Sequence, residues 1–64
     1  MRRPKLYVYR TRSLLLRERW AWKLTGANGE IIARGEGYTQ RSAAEAMGTA
    51  VKNGVYSDAV VVVL

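Results

Sequence analysis

The chain has no cysteine, no histidine and no phenylalanine, and only one proline among 64 residues. Without cysteine there is no disulfide staple and no thiolate metal site. Without histidine as well, the usual catalytic triads and transition-metal centres are excluded. Acids are also scarce: five Asp and Glu stand against eleven Lys and Arg, for a net charge of +6. Glu18, Glu30, Glu36, Glu45 and Asp58 are scattered over turns and element ends, and no spacing forces a general acid and a general base together. Gly35-Glu36-Gly37 lacks the Gly-Lys-Ser/Thr ending of a phosphate loop and the glycine spacing of a dinucleotide fold. These absences predict a protein that is not an enzyme and that carries neither cofactor nor metal. No apolar run is long enough to cross a bilayer, and the basic start Met1-Arg2-Arg3-Pro4-Lys5 leads into an alternating segment, so neither a membrane span nor a secretory leader is expected. With no cysteine to oxidise, the expected location is the cytoplasm.

What is present is patterning. Residues 1–4 read as a basic tail and residues 5–64 as one domain, small enough to depend on good packing or on oligomerisation. Lys5 to Thr11 alternates, with tyrosine and valine, and reads as a strand. Arg12 to Arg17 reads as a loop or flared hairpin end. Glu18 to Gly26 and Glu30 to Gly35 are two further strands joined by Asn28-Gly29, the strongest short-range hairpin signal. The close glycines at Gly35 and Gly37 are expected to end the third strand. A helix follows, capped by Thr39 or by Ser42 with Glu45 at capping-box spacing, and stopped at Asn53-Gly54. Its apolar stripe is read as Ala43, Ala46, Met47, Ala50 and Val51. Asp58 to Leu64 is a last strand. The predicted fold is α+β: a three-stranded antiparallel sheet, one helix packed on it and a C-terminal strand, in the order βββαβ.

A two-residue turn at Asn28-Gly29 sets a register in which Ala27 faces Glu30, Leu24 faces Ala33, Lys23 faces Arg34 and Trp22 faces Gly35. One face then carries Trp20, Trp22, Leu24, Ile31 and Ala33, the other Ala21, Lys23, Thr25, Ile32, Arg34 and Glu36. Large indoles opposite a helix of small residues, with Gly48 near its middle, make a sensible core, so the tryptophans are expected inside. A base-stacking platform is the competing reading of the same pair. Lys23 opposite Arg34 costs a few tenths of a kcal/mol, roughly, where an opposite charge would gain it. Either the two side chains splay into water or the face binds anions.

Arg10, Arg12, Arg17 and Arg19 surround Leu14, Leu15 and Leu16. At a hairpin tip the leucines would form an apolar knob for a protein or an anionic membrane; on longer strands they would tuck under the helix. Val60-Val61-Val62-Val63-Leu64 has no polar alternation, and one helix covers only one face of a sheet. That predicts a homodimer in which sheets, helices or terminal strands cover each other.

Trp20, Trp22, Leu24, Asn28-Gly29-Glu30-Ile31-Ile32-Ala33, Gly37-Tyr38, Ala44 and Val51-Lys52 together resemble the YegP-like family of small uncharacterised domains, over about residues 5 to 60. The resemblance implies a βββαβ unit paired with a second one, as a homodimer when the chain holds a single unit. It implies no activity, because the family has none established.

Two functions follow. The first is sequence-independent nucleic-acid binding through Arg10, Arg12, Arg17, Arg19, Lys23 and Arg34. The second is a dimeric protein-interaction module that uses Leu14, Leu15 and Leu16, or Val61 and Val63 on the C-terminal edge strand.

Overall fold

A computed structural model describes residues 3–12 and 18–64. The order is β1 (Lys5–Arg12), β2 (Glu18–Thr25), β3 (Ile31–Tyr38), α1 (Arg41–Val55) and β4 (Val60–Val63). The expected βββαβ sequence of elements is present, and β4 joins the same sheet as the other strands, in the spatial order β3-β2-β1-β4. Neighbouring pairs β1/β2 and β2/β3 are antiparallel, whereas β1/β4 is parallel. A parallel neighbour needs a crossover, and α1 supplies it by carrying the chain from the β3 edge over one face to the far side of β1. Leucines 14 to 16 and Arg17 lie outside the described residues.

Alternation in β1 and β2 aims Leu6, Val8, Trp22 and Leu24 at α1. Leu6, Val8 and Leu24 are completely buried and Trp22 keeps only 5% of its surface. Trp22 is therefore core, with Trp20 half-buried beside it. Its indole nitrogen donates to the Tyr38 hydroxyl at 3.3 Å. Glycine lies on both sides of this ring. A Cβ at Gly48 would stand 3.0 Å from Trp22 Cγ and 3.0 Å from Leu6 Cδ1, and one at Gly35 would stand 2.5 Å from the indole nitrogen. The helix backbone thus rests directly on the core side chains.

The helix is rotated from its expected seat. Ala44, Gly48 and Lys52 are the buried positions and Val51 is half-buried, while Ala43, Ala46, Met47 and Ala50 are exposed. Alanine has little preference for either side, so an alanine-rich stripe carries a weak signal, and close approach to Trp22 demands the residue without a Cβ. Lys52 hides its aliphatic stem while its ammonium donates to Asn53 Oδ1 at 2.9 Å and to the Ser57 carbonyl at 2.7 Å. Those bonds tie the last turn to the loop before β4. The expected cap is also absent: Gln40 occupies the N-cap position without a side-chain hydrogen bond, and the helix runs through Gly54 to Val55.

The hairpin keeps the expected pairs Trp22–Gly35, Lys23–Arg34 and Leu24–Ala33, and differs at both ends. Gly29 N–H donates to the Gly26 carbonyl and Gly26 N–H to the Glu30 carbonyl, both at 2.9 Å, and Gly29 has φ +84. The loop is therefore three residues long, a turn closed by a left-handed glycine, and not the two-residue turn expected. Asn28 Oδ1 accepts from Glu30 N–H at 3.1 Å and holds that turn. Thr25 consequently pairs with Ile31, and a bulge at Ile32 restores the predicted register. Ile31 thus lies on the face of Thr25, away from the helix, where the two-residue turn would have put Ile32. β3 does not stop at its glycines. It continues to Tyr38 through a second bulge, where Gly37 takes φ +88 and two residues, Glu36 and Gly37, oppose Ala21 alone. Both irregularities lengthen β3 relative to β2. The β4 edge has none. Val60 and Leu64 donate to the carbonyls of Pro4 and Val8, so the backbone groups of Val61 and Val63 point outward from the sheet.

Candidate functional site

α1 covers one face of the sheet, and the other carries most of the exposed chemistry. Because side chains alternate, the residues between the core positions of β1 and β2 all emerge there. They are Lys5, Tyr7, Tyr9 and Thr11 on β1 and Arg19, Ala21, Lys23 and Thr25 on β2, joined by Arg34 from β3 and Val60 and Val62 from β4. The tyrosines stand in the middle of the sheet, half-buried at their bases. Lys23 lies opposite Tyr7, and its ammonium is 5.1 Å from the Tyr7 ring centre and 5.7 Å from that of Tyr9. One cation is thereby shared between two aromatic faces.

Among the described residues no acid is paired with these cations. Lys23 and Arg34 are cross-strand partners on the uncovered face. Among the described residues the one ion pair, Arg10 to Glu18 at 3.4 Å, lies on the other face. Glu30 sits in the turn, Glu45 on the helix and Asp58 in the loop before β4. Glu36 lies in the bulge opposite Ala21.

The arginine cluster read from the sequence is divided between faces. Arg10 and Arg12 pair with Trp20 and Glu18, on the helix side. Arg10 also stacks over the Trp20 ring, 5.8 Å from its centre. Arg10 borders the core through Trp20 and Arg12 is exposed at the end of β1, and neither is part of the basic face. Arg19 does reach it, with one guanidinium nitrogen donating to the Glu18 carbonyl at 3.0 Å. The stacking platform conceivable at Trp20 and Trp22 is likewise absent, because Trp22 is enclosed and Trp20 is half-buried. Sequence reasoning missed Tyr7, Tyr9 and Lys5. Their signal was the same β1 alternation that identified the strand, since Lys5, Tyr7 and Tyr9 must share a face once Leu6 and Val8 are inside.

A cavity of about 490 Å³ opens at one end of this face, lined by Arg3, Lys5, Tyr7, Thr25, Gly26 and Val60 among others. Thr25 donates from its hydroxyl to the Lys5 carbonyl at 3.3 Å and closes its floor between β1 and β2. A smaller one, about 170 Å³, lies beside Arg10, Thr11, Arg12 and Glu18. Among the described residues no group of His, Cys, Asp and Glu is placed to hold a metal, and no helix is long and apolar enough to cross a membrane.

Residues 17–61 match the family described as a domain of unknown function, DUF1508. The chain belongs to this family, the YegP-like domains. The DUF1508 match spans β2, β3, α1 and the start of β4. It includes Arg19, Lys23 and Arg34 and leaves Tyr7 and Tyr9 on the preceding strand. No curated protein and no solved structure matches the chain.

Proposed function

We propose that this domain is a small non-enzymatic module that binds nucleic acid without sequence preference, through the sheet face that α1 leaves uncovered. One observation carries the reading: Lys23 faces Arg34 there, with Arg19 and Lys5 alongside and, among the described residues, no acid paired to any of them. Phosphates relieve a repulsion that the free protein tolerates. Contacts of this kind position a protein on the polymer and do not read its bases. The absence of cysteine fits the same role in the cytoplasm. Fluorescence anisotropy with labelled DNA and RNA tests it. Affinity should fall by orders of magnitude between about 50 and 200 mM salt if many phosphates are neutralised, and less steeply if few are. No binding at low salt to either polymer, by a properly folded protein, refutes it.

The domain acts, in this proposal, as a homodimer. Support comes from β4, whose exposed valines and outward backbone groups leave a plain edge open to a second strand. Pairing there would extend the basic face across both copies. Light scattering should give twice the chain mass at micromolar concentration. Val63→Pro should return it to the monomer, because proline is tolerated where the N–H faces away from the sheet, yet it removes the donor a partner strand needs. A folded wild-type monomer refutes the dimer, and a dimer unaffected by Val63→Pro moves its interface elsewhere, with the Leu14 to Leu16 segment the next place to substitute.

A further inference from the structure

Resting on that reading, we propose that the polymer is single-stranded, with unpaired bases stacked on Tyr9 and Tyr7 and a third base in the cavity beside Lys5. The width of the face decides against a duplex. Four strands lie side by side, so the platform spans roughly 14 Å before side chains are added, from an inter-strand spacing of about 4.8 Å. A major groove is about 12 Å wide and admits a helix or a two-stranded ribbon, not a sheet of this breadth. On a duplex the face would meet phosphates alone, and its central tyrosines would touch nothing.

A single strand uses every group. Tyr9, Tyr7 and Lys5 follow one another along β1 at alternate positions, about 6.7 Å apart, twice the spacing of stacked bases. That interval suits bases splayed one per side chain. Aromatic rings accept any base, because every base has a π-face, which agrees with binding that ignores sequence. Arg19, opposite Thr11, and Arg34, one strand further out, flank this row, while Lys23 rests its ammonium over both tyrosine rings and swings aside as bases stack there, which frees its charge for a phosphate. These cations lie where the phosphates of a strand running along β1 would pass. Arg3, Lys5 and Tyr7 line the cavity that ends the row. Its volume lies within the range of small-ligand pockets, large enough for a base.

The experiment compares labelled oligo-dT and oligo-rU of about ten nucleotides with a duplex of equal length. Wild-type protein should bind either single strand at least about tenfold more tightly than the duplex, by the scale of stacking contacts. Replacing both tyrosines by leucine (Tyr7→Leu, Tyr9→Leu) keeps apolar strand formers on β1 and should cost about tenfold per ring, with the salt slope unchanged. Replacement of both by phenylalanine should restore binding, which a folding defect in the leucine pair would not explain. Equal affinity for duplex and single strand overturns the proposal and leaves the basic face standing. Single-strand binding that survives the leucine pair, in protein folded by circular dichroism, overturns it too. Loss of all binding at low salt by the wild type removes both readings together.

Discussion

The two faces of one sheet differ in what they ask of the same strands. On the helix side Leu6, Val8, Trp22 and Leu24 are closed in by Ala44 and Gly48, and each position is dictated by volume. On the other side Tyr7, Tyr9, Lys23 and Arg34 are held by nothing beyond strand pairing and a shared cation. A one-residue step along β1 passes from a site that tolerates almost no change to one free to serve a partner. The lesson is that strand parity alone can separate a packed core from an exposed basic and aromatic face, since a chain of this size has no spare elements to assign to each.

Substitutions can break that contrast or sharpen it. Trp22→Ala should have the largest effect, about 3–5 kcal/mol, comparable to the entire stability that a core this small supplies. Urea denaturation would reveal it as loss of a cooperative transition. A stable variant would mean that the covered face is not the core. Gly48→Val comes next. Its added atoms meet Trp22 and Leu6 at a position where even a Cβ stands at 3.0 Å, so overpacking should cost about 1–3 kcal/mol despite the removal of a helical glycine. Thermal melts at fixed protein concentration would check it. The smallest effect belongs to the open face. Lys23→Glu combined with Arg34→Lys turns a like-charge pair into an opposite one but removes the cation shared by Tyr7 and Tyr9, and should change stability by no more than about 1 kcal/mol. Because it removes cationic charge from the face, it should nonetheless lower the salt slope of nucleic-acid binding. A large stability change there would show that the two faces are mechanically coupled.

Much of the fold was legible because its signals were local. Asn28-Gly29 between alternating runs placed Trp22 opposite Gly35 and Lys23 opposite Arg34, and those pairs are present. The turn length was not legible, because the same Asn-Gly serves a two-residue turn and a three-residue turn ended by a left-handed glycine. The helix face was hidden by composition. Alanines stand on both the buried and the exposed side of α1, and the buried stem of Lys52 reads as polar in any pattern. At the candidate site, Lys23, Arg34 and Arg19 were legible from charge and register. Arg10 and Arg12 were misplaced because a cluster along the sequence ignores the alternation that sends neighbours to opposite faces. Tyr7 and Tyr9 escaped notice since period two says which residues travel together, but only the packed helix says which set is covered.

The bulges of β3 give the sheet a direction of growth. One rim is bent twice, at Ile32 and at Glu36-Gly37, and a strand laid against it would lose step after a few residues. The other rim is straight, short and made of valine. A chain with one receptive rim and one refractory rim can join a single copy of itself and then has nothing left to offer. Fibre formation needs two receptive rims, so in the proposed dimer these irregularities would act as a stop signal, written into the hairpin far from the edge where pairing would begin.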